Sequence, residues 1–113
     1  MKPLHITASV LIVALGLLHC GFTLINYSGI SYDAAWFLGT GFAIILAGFL
    51  NIAMGRDGGR DKVIWAMALI TNVVFLVGFA AASYMMRQPQ VVVGALLFLA
   101  TTIYSFVINP KPN

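Results

Sequence analysis

The sequence has very few charged residues. Only 8% of its 113 residues are Asp, Glu, Lys or Arg, whereas 61% are hydrophobic, and the mean hydropathy is +0.99. A water-soluble domain needs a largely polar surface, so this composition excludes one. The 6 basic residues outnumber the 3 acidic ones, but they are scattered along the chain and form no cluster. We therefore predict no binding of nucleic acid.

Residues that bind metals or act as nucleophiles are also scarce. The chain has one cysteine, Cys20, and two histidines, His5 and His19. A single cysteine excludes an intramolecular disulfide, and these three residues are not spaced as a zinc or copper ligand set. Cys20 directly follows His19, so on a helix the two side chains diverge and do not form a nucleophile and its base. We expect a protein that is not an enzyme and that has no resident cofactor.

Long apolar segments fill almost the whole chain. They cover residues 4–24, 34–54, 63–84 and 91–108. A helix of about 20 apolar residues crosses the hydrocarbon core of a bilayer, whereas the strands of a membrane barrel alternate polar and apolar residues. The connectors are short, so consecutive helices are neighbours. The sequence predicts an all-α integral membrane protein, with residues 1–113 forming a single up-down-up-down four-helix bundle.

The positions of the basic residues indicate an orientation in the membrane. Lysine and arginine are retained preferentially in short cytoplasmic loops. One side of the predicted bundle holds the N-terminus, the second connector and the C-terminus, and it carries Lys2, Arg56, Arg60, Lys62 and Lys111. The opposite side carries only Arg87. We therefore predict a multi-pass protein with both termini in the cytoplasm.

Local signals predict one helix start and two contact faces. Asp33 precedes the second apolar segment, where a carboxylate accepts backbone N–H bonds and meets the positive end of the helix dipole. Small residues allow close approach of helices in lipid. They recur every four residues as Gly39, Ala43 and Ala47 on the second helix and as Gly78 and Ala82 on the third. We expect contacts along these faces, either within the bundle or in an oligomer.

Polar side chains inside the apolar segments indicate the interior of the bundle, because such groups are costly in hydrocarbon. At 1.5 Å per residue, His19 and Thr40 lie about 6 Å outward of their helix midpoints, while Asn72 and Thr101 lie near theirs. We predict a polar ligand-binding site in the outer half of the bundle, formed by His19, Thr23, Asn26, Asp33, Thr40, Asn72 and Thr101. The alternative is that these groups only form hydrogen bonds between helices, each contributing about 0.6 kcal/mol.

The two histidines leave a haem site as another alternative. His5 and His19 share one face of the first helix and lie about 21 Å apart along its axis. A low-spin haem takes two axial ligands, and the chain has no third histidine. Only a dimer that pairs the first helices would complete two such sites. A haem- or quinone-binding redox subunit is therefore one alternative function.

The length and the number of spans resemble the small multidrug resistance transporters. Those proteins work as dimers of four-helix chains and depend on a glutamate within the first helix. The present sequence contains no glutamate, and its biased orientation differs from the dual insertion common in that family. A small oligomeric transporter of the four-helix type is the second alternative function.

The second span resembles a different group of proteins. Residues 33–41, DAAWFLGTG, are followed by Gly48 and Asn51. This pattern is similar to one in small uncharacterised bacterial four-span inner-membrane proteins, and the resemblance implies a bacterial inner-membrane location without a known activity. We predict a binding or interaction subunit whose partners are the lipid bilayer and a second copy of the chain or a larger membrane protein.

Overall fold

The computed structural model describes residues 1–108, and this part of the chain is all helical. Its four helices are α1 (Lys2–Asn26), α2 (Tyr32–Asp57), α3 (Lys62–Met86) and α4 (Pro89–Ile108). Each predicted apolar segment lies within one helix, and all four helices are long and apolar enough to cross a membrane. Lys111, which the sequence analysis used to predict the orientation, lies outside the described residues.

Side chains cap the starts of α2 and α3. The hydroxyl oxygen of Ser31 accepts a hydrogen bond from the backbone N–H of Ala34 at 3.1 Å, which makes Ser31 the N-cap of α2. The prediction that Asp33 caps this helix is wrong, because Asp33 already lies inside the first turn. Its carboxylate still faces the positive end of the helix dipole. Asp61 caps α3 by accepting two backbone N–H bonds at 2.9 and 3.3 Å.

Helices α1 and α2 approach each other at glycines. A Cβ atom added to Gly16 would lie 2.9 Å from the carbonyl oxygen of Gly41. A Cβ atom added to Gly48 would lie 2.5 Å from Cγ2 of Val13 and 3.0 Å from its backbone nitrogen. Any larger side chain at these positions would overlap the backbone of the neighbouring helix. The glycines therefore set the spacing of this helix pair.

The small-residue faces predicted from the sequence are only partly used. Gly39 and Ala43 are exposed, and Ala47 alone of the three lies in the core. A Cβ atom on Gly78 would meet nothing within 4 Å. The contact face of α2 instead follows a spacing of seven residues, through Gly41, Gly48 and Gly55. Within the described bundle this series on α2 contributes only Ala47 to the core, and contact of Gly39 and Ala43 in an oligomer stays a prediction.

The α1–α2 pair packs against the α3–α4 pair through a core of buried apolar residues. Its centre consists of Ile12, Ile44, Ala47 and Phe98. The ring of Phe98 stacks on that of Phe75 with a centroid distance of 4.9 Å. Within the α3–α4 pair, Gly94 of α4 provides space for the ring of Phe79. These contacts join all four helices at the middle of the bundle.

The outer surface of the bundle is apolar. Large aliphatic side chains are exposed on every helix, among them Leu17, Leu46, Val77 and Leu96. α3 is the least buried helix, because only 11% of its most apolar 18-residue stretch is buried inside the molecule. Such a continuous apolar surface is far larger than the patches that soluble monomers expose. Its chemistry matches lipid acyl chains.

Candidate functional site

A cavity separates the two helix pairs near the α1–α2 and α3–α4 connectors. Its volume is about 720 Å³. The walls are mainly apolar and include the rings of Phe22, Phe37, Phe75 and Phe79. Polar residues line the cavity as well, namely His19, Asn26, Thr40, Gln88 and Gln90. Along α1 the lining extends from Leu15 to Asn26, a distance of about 16 Å at 1.5 Å per residue.

The imidazole ring of His19 is one of the side chains that line this cavity. Its ring stacks on Phe37 with a centroid distance of 3.8 Å and an interplanar angle of 15°. Atom Nε2 is buried and has no hydrogen-bond partner among the described residues. A buried polar atom without a partner costs about 1–3 kcal/mol. Toward a bound molecule the imidazole can act as a donor or as an acceptor, because either ring nitrogen can take either role.

Thr40 and Asn26 line the same cavity from α2 and from the end of α1. The Thr40 hydroxyl donates a hydrogen bond to the carbonyl oxygen of Trp36 at 2.9 Å. Its proton is therefore used within the helix, and the Thr40 oxygen is left as an acceptor. Asn26 is exposed at the last position of α1. The structure thus brings three of the predicted site residues, His19, Asn26 and Thr40, to one cavity.

Two other predicted site residues do not line the cavity. The Thr23 hydroxyl donates to the carbonyl oxygen of His19 at 3.4 Å, which is a bond within α1. Asp33 is exposed in the first turn of α2. Neither residue is among those that line the cavity. The Thr23 bond lies within α1, and Asp33 lies at the positive end of the α2 dipole, so both residues act on the helices that carry the site.

Asn72 and Thr101 lie in a separate, fully buried polar cluster. Asn72 donates through Nδ2 to Oδ1 of Asn51 at 2.8 Å and to Oγ of Ser105 at 3.0 Å. Asn51 returns a hydrogen bond through Nδ2 to Oδ1 of Asn72 at 2.7 Å. The hydroxyl of Thr101 donates to the carbonyl oxygen of Phe98 at 3.1 Å. These groups bond to one another and to the backbone, and neither Asn72 nor Thr101 lines the cavity.

His5 belongs to the same end of the bundle as this polar cluster. Its Nε2 lies 2.8 Å from the carbonyl oxygen of Asn51, and its ring stacks on Tyr104 at 4.1 Å. Only 3% of the residue is exposed. The haem alternative requires this imidazole as an iron ligand, whereas both its face and its Nε2 are engaged in helix packing. The sequence indicated His5 only as a candidate haem ligand, and these contacts were not predicted.

Sequence reasoning missed Gln88 and Gln90 as cavity residues. Gln88 precedes α4 and Gln90 is its second residue, and Nε2 of Gln90 donates to Oε1 of Gln88 at 2.7 Å. The sequence indicated this stretch only as a short link between two spans. Two amide side chains at the end of the bundle that also holds Asn26 were the available signal. They contribute a rim that can both donate and accept hydrogen bonds.

The lining contains no Asp, Glu, Lys or Arg among the described residues. Within residues 1–108 no three His, Cys, Asp or Glu side chains are grouped closely enough to hold a metal ion. The site can therefore offer hydrogen bonds and aromatic surfaces to a ligand, but no countercharge. Comparison with known proteins finds no matching family model, no matching curated protein and no matching solved structure.

Proposed function

We propose that the protein spans a membrane and binds a membrane-dissolved ligand in the cavity between its two helix pairs. The observation that carries this proposal is a cavity of about 720 Å³ in a bundle of only four helices. Ligand pockets in proteins have volumes of about 300–1,000 Å³ and combine apolar walls with a few placed polar groups. The four phenyl rings and the polar side chains of the lining, among them His19 and Thr40, fit this description.

The lengths and surfaces of the helices support the membrane location. The shortest helix, α4, has 20 residues and is therefore about 30 Å long, which matches the hydrocarbon core of a bilayer. The large side chains that cover the outside of the bundle are mostly aliphatic or aromatic. In lipid this surface carries no penalty, whereas in water it would drive aggregation.

Contacts between α1 and α2 support an up-down-up-down arrangement. Gly41 approaches Cys20, and Gly55 approaches His5. Residue numbers therefore fall along α1 as they rise along α2. Combined with the excess of Lys and Arg near the termini and in the α2–α3 connector, this favours cytoplasmic termini. The resemblance of the second span to small bacterial four-span proteins is the support for a bacterial inner membrane. The cavity then opens in the outer half of the bilayer.

Packing at the middle of the bundle favours binding over transport. A transporter requires a path that can connect the two sides of the membrane. Below the cavity lie Ile12, Ile44 and Phe98, each at most 1% exposed. Beyond this core the buried cluster of Asn51 and Asn72 joins the helix pairs again. The cavity is therefore closed toward the opposite end.

Filling the cavity tests this function, and the chain offers a matched control. Gly78 lines the cavity and Gly39 does not, and a Cβ atom on either one would meet nothing within 4 Å. We expect Gly78→Leu to fold and to lose the ligand, whereas Gly39→Leu keeps it. The measurement is native mass spectrometry of delipidated protein in detergent, titrated with sixteen-carbon probes that differ only in the head group: hexadecane, hexadecanol, hexadecyl sulfate and hexadecyltrimethylammonium.

Retention of at least one probe by wild type and Gly39→Leu, with loss in Gly78→Leu, supports the proposal. Equal retention of every probe by all three proteins would contradict it, because it would show that the probes coat the outer apolar surface. Circular dichroism and gel filtration establish that Gly78→Leu has folded. Gly to Leu in a helix interior also raises helix propensity, so loss of binding would not reflect a weaker helix.

A further inference from the structure

The chemistry of the cavity wall defines the charge of its ligand. None of the charged residues among the described part of the chain lines the cavity. An ionised group moved from water into apolar surroundings loses its hydration, and this loss is compensated only by a paired charge. A cation or an anion inside this cavity would meet only phenyl rings, aliphatic groups and neutral hydrogen-bonding groups. The wall therefore selects against charged ligands.

The polar groups occupy only one part of the cavity. Asn26, Gln88 and Gln90 lie at helix ends, and His19 and Thr40 lie about two turns from the ends of α1 and α2. At 1.5 Å per residue, His19 is about 10 Å along α1 from Asn26. Beyond His19 the wall is formed by Leu15, Ile44 and Phe75, which are apolar. The cavity thus has a hydrogen-bonding half and a hydrocarbon half.

His19 is the aromatic polar residue of this wall, and stacking on Phe37 holds its ring in place. Its Nε2 is one of two buried side-chain polar atoms without a hydrogen-bond partner among residues 1–108, and the other is Nδ1 of His5. The Thr40 oxygen remains an acceptor because its proton is donated to Trp36. A hydroxyl or carbonyl group near His19 would form a hydrogen bond with the imidazole without bringing a charge into the cavity.

We infer that the ligand is an uncharged amphiphile, whose hydroxyl or carbonyl group forms a hydrogen bond with the imidazole of His19 while its hydrocarbon part occupies the space beside Leu15, Ile44 and Phe75. This inference rests on the proposed function and adds the chemical class of the ligand. Alcohols, esters and ketones with long chains all provide this chemistry. Free fatty acids in their anionic form and long-chain ammonium ions do not.

The series of sixteen-carbon probes tests this chemical class. Wild-type protein is expected to bind hexadecanol at least about 10-fold more tightly than hexadecyl sulfate or hexadecyltrimethylammonium, because the charged heads find no countercharge. His19→Phe keeps an aromatic ring against Phe37 and removes the nitrogen. One net hydrogen bond contributes about 0.5–1.5 kcal/mol, so this variant should bind hexadecanol about 2- to 10-fold more weakly. Binding of hexadecane should not change.

A second measurement remains informative if His19→Phe folds poorly. In wild-type protein labelled with ¹⁵N at histidine, hexadecanol should shift the Nε2 resonance of His19. The resonance of His5 should stay in place, because its Nε2 already lies 2.8 Å from the carbonyl oxygen of Asn51. A shift of His19 alone supports the inference.

Two results would overturn the inference while leaving the proposed function intact. One is a charged probe that binds wild-type protein as tightly as hexadecanol does and that Gly78→Leu no longer binds. The other is an unchanged ratio of hexadecanol to hexadecane affinity in His19→Phe, with no shift of the His19 Nε2 resonance. If no probe distinguishes wild type from Gly78→Leu, then the proposed function itself fails, and the inference fails with it.

Discussion

Substitution of Asn72 tests the polar cluster that joins the two helix pairs. Asn72 is 0% exposed, and its side chain takes part in three hydrogen bonds with Asn51 and Ser105, at 2.7, 2.8 and 3.0 Å. Asn72→Leu keeps a similar side-chain volume and removes all three. Hydrogen bonds between membrane helices contribute about 0.6 kcal/mol each, so the variant should lose about 2 kcal/mol of unfolding free energy.

Asn51 and Asn72 exchange hydrogen bonds, so we can also predict the stability of the variant in which both are replaced. After Asn72→Leu, the amide of Asn51 remains buried and keeps only its bond to the carbonyl oxygen of Ala47 at 2.9 Å. The second substitution, Asn51→Leu, removes this stranded group. The double variant should therefore be more stable than the sum of the two single effects predicts, by about 1–2 kcal/mol.

The assay is reversible unfolding in mixed micelles with increasing dodecyl sulfate, followed by circular dichroism. Thr71→Val is the matched control beside Asn72, because the Thr71 hydroxyl bonds only to the carbonyl oxygen of Met67 in its own helix. The control should change stability by less than about 0.5 kcal/mol. A loss below about 0.5 kcal/mol for Asn72→Leu, or strictly additive effects in the double variant, would refute the reasoning.

Two further predictions concern helix packing and helix capping. Gly48→Val should destabilise the α1–α2 pair by at least about 2 kcal/mol through overlap with the facing backbone, whereas Gly39→Val, which meets open space, should lose less than about 1 kcal/mol in the same unfolding assay. Ser31→Ala should cost about 1 kcal/mol through loss of the N-cap, and Asp33→Asn should cost about 0.5 kcal/mol through the helix dipole alone. Equal losses of stability for Gly48→Val and Gly39→Val would contradict the close packing at Gly48. Equal losses for Ser31→Ala and Asp33→Asn would contradict Ser31 as the N-cap of α2.

The helices themselves could be predicted from the sequence because composition and length alone identify the apolar segments. Each apolar segment is continuous, and connectors rich in Gly, Ser, Asp or Pro separate the segments. The helices begin and end within about three residues of the predicted segments, which is the usual uncertainty of helix ends. The capping residue of α2 was misassigned because Ser31 and Asp33 both suit an N-cap. Only the backbone conformation at Ser31, with φ −149° and ψ 168°, distinguishes them.

The face on which two helices meet could not be predicted in the same way. Helix α2 carries small residues on more than one side, and the sequence does not say which side has a partner. Contact at Gly41 and Gly48 requires the matching position of Gly16 on α1. That match is a property of two helices together. Spacing within one helix therefore identified candidates such as Gly39 without identifying the contact.

The candidate site was predicted only in part, because it too depends on how separate helices face one another. The rise per residue gives the depth of a side chain along a helix, and it grouped His19 with Thr40, which the structure brings to one cavity. It does not give the rotation of one helix against another. Asn72 was therefore expected to face His19, whereas its side chain bonds to Asn51 and Ser105. The ligand-binding role of the His19 group stays a prediction.

Photo-crosslinking in native membranes tests the central claim most directly. A diazirine-bearing phenylalanine is placed at Phe75, which lines the cavity, or at Phe106, which is exposed on the outer surface of α4. After irradiation, mass spectrometry identifies the attached molecule. Position 75 should capture predominantly one class of uncharged amphiphile, while position 106 captures the phospholipids of the membrane in their bulk proportions. The same phospholipid mixture at both positions would show that the cavity binds no ligand of its own.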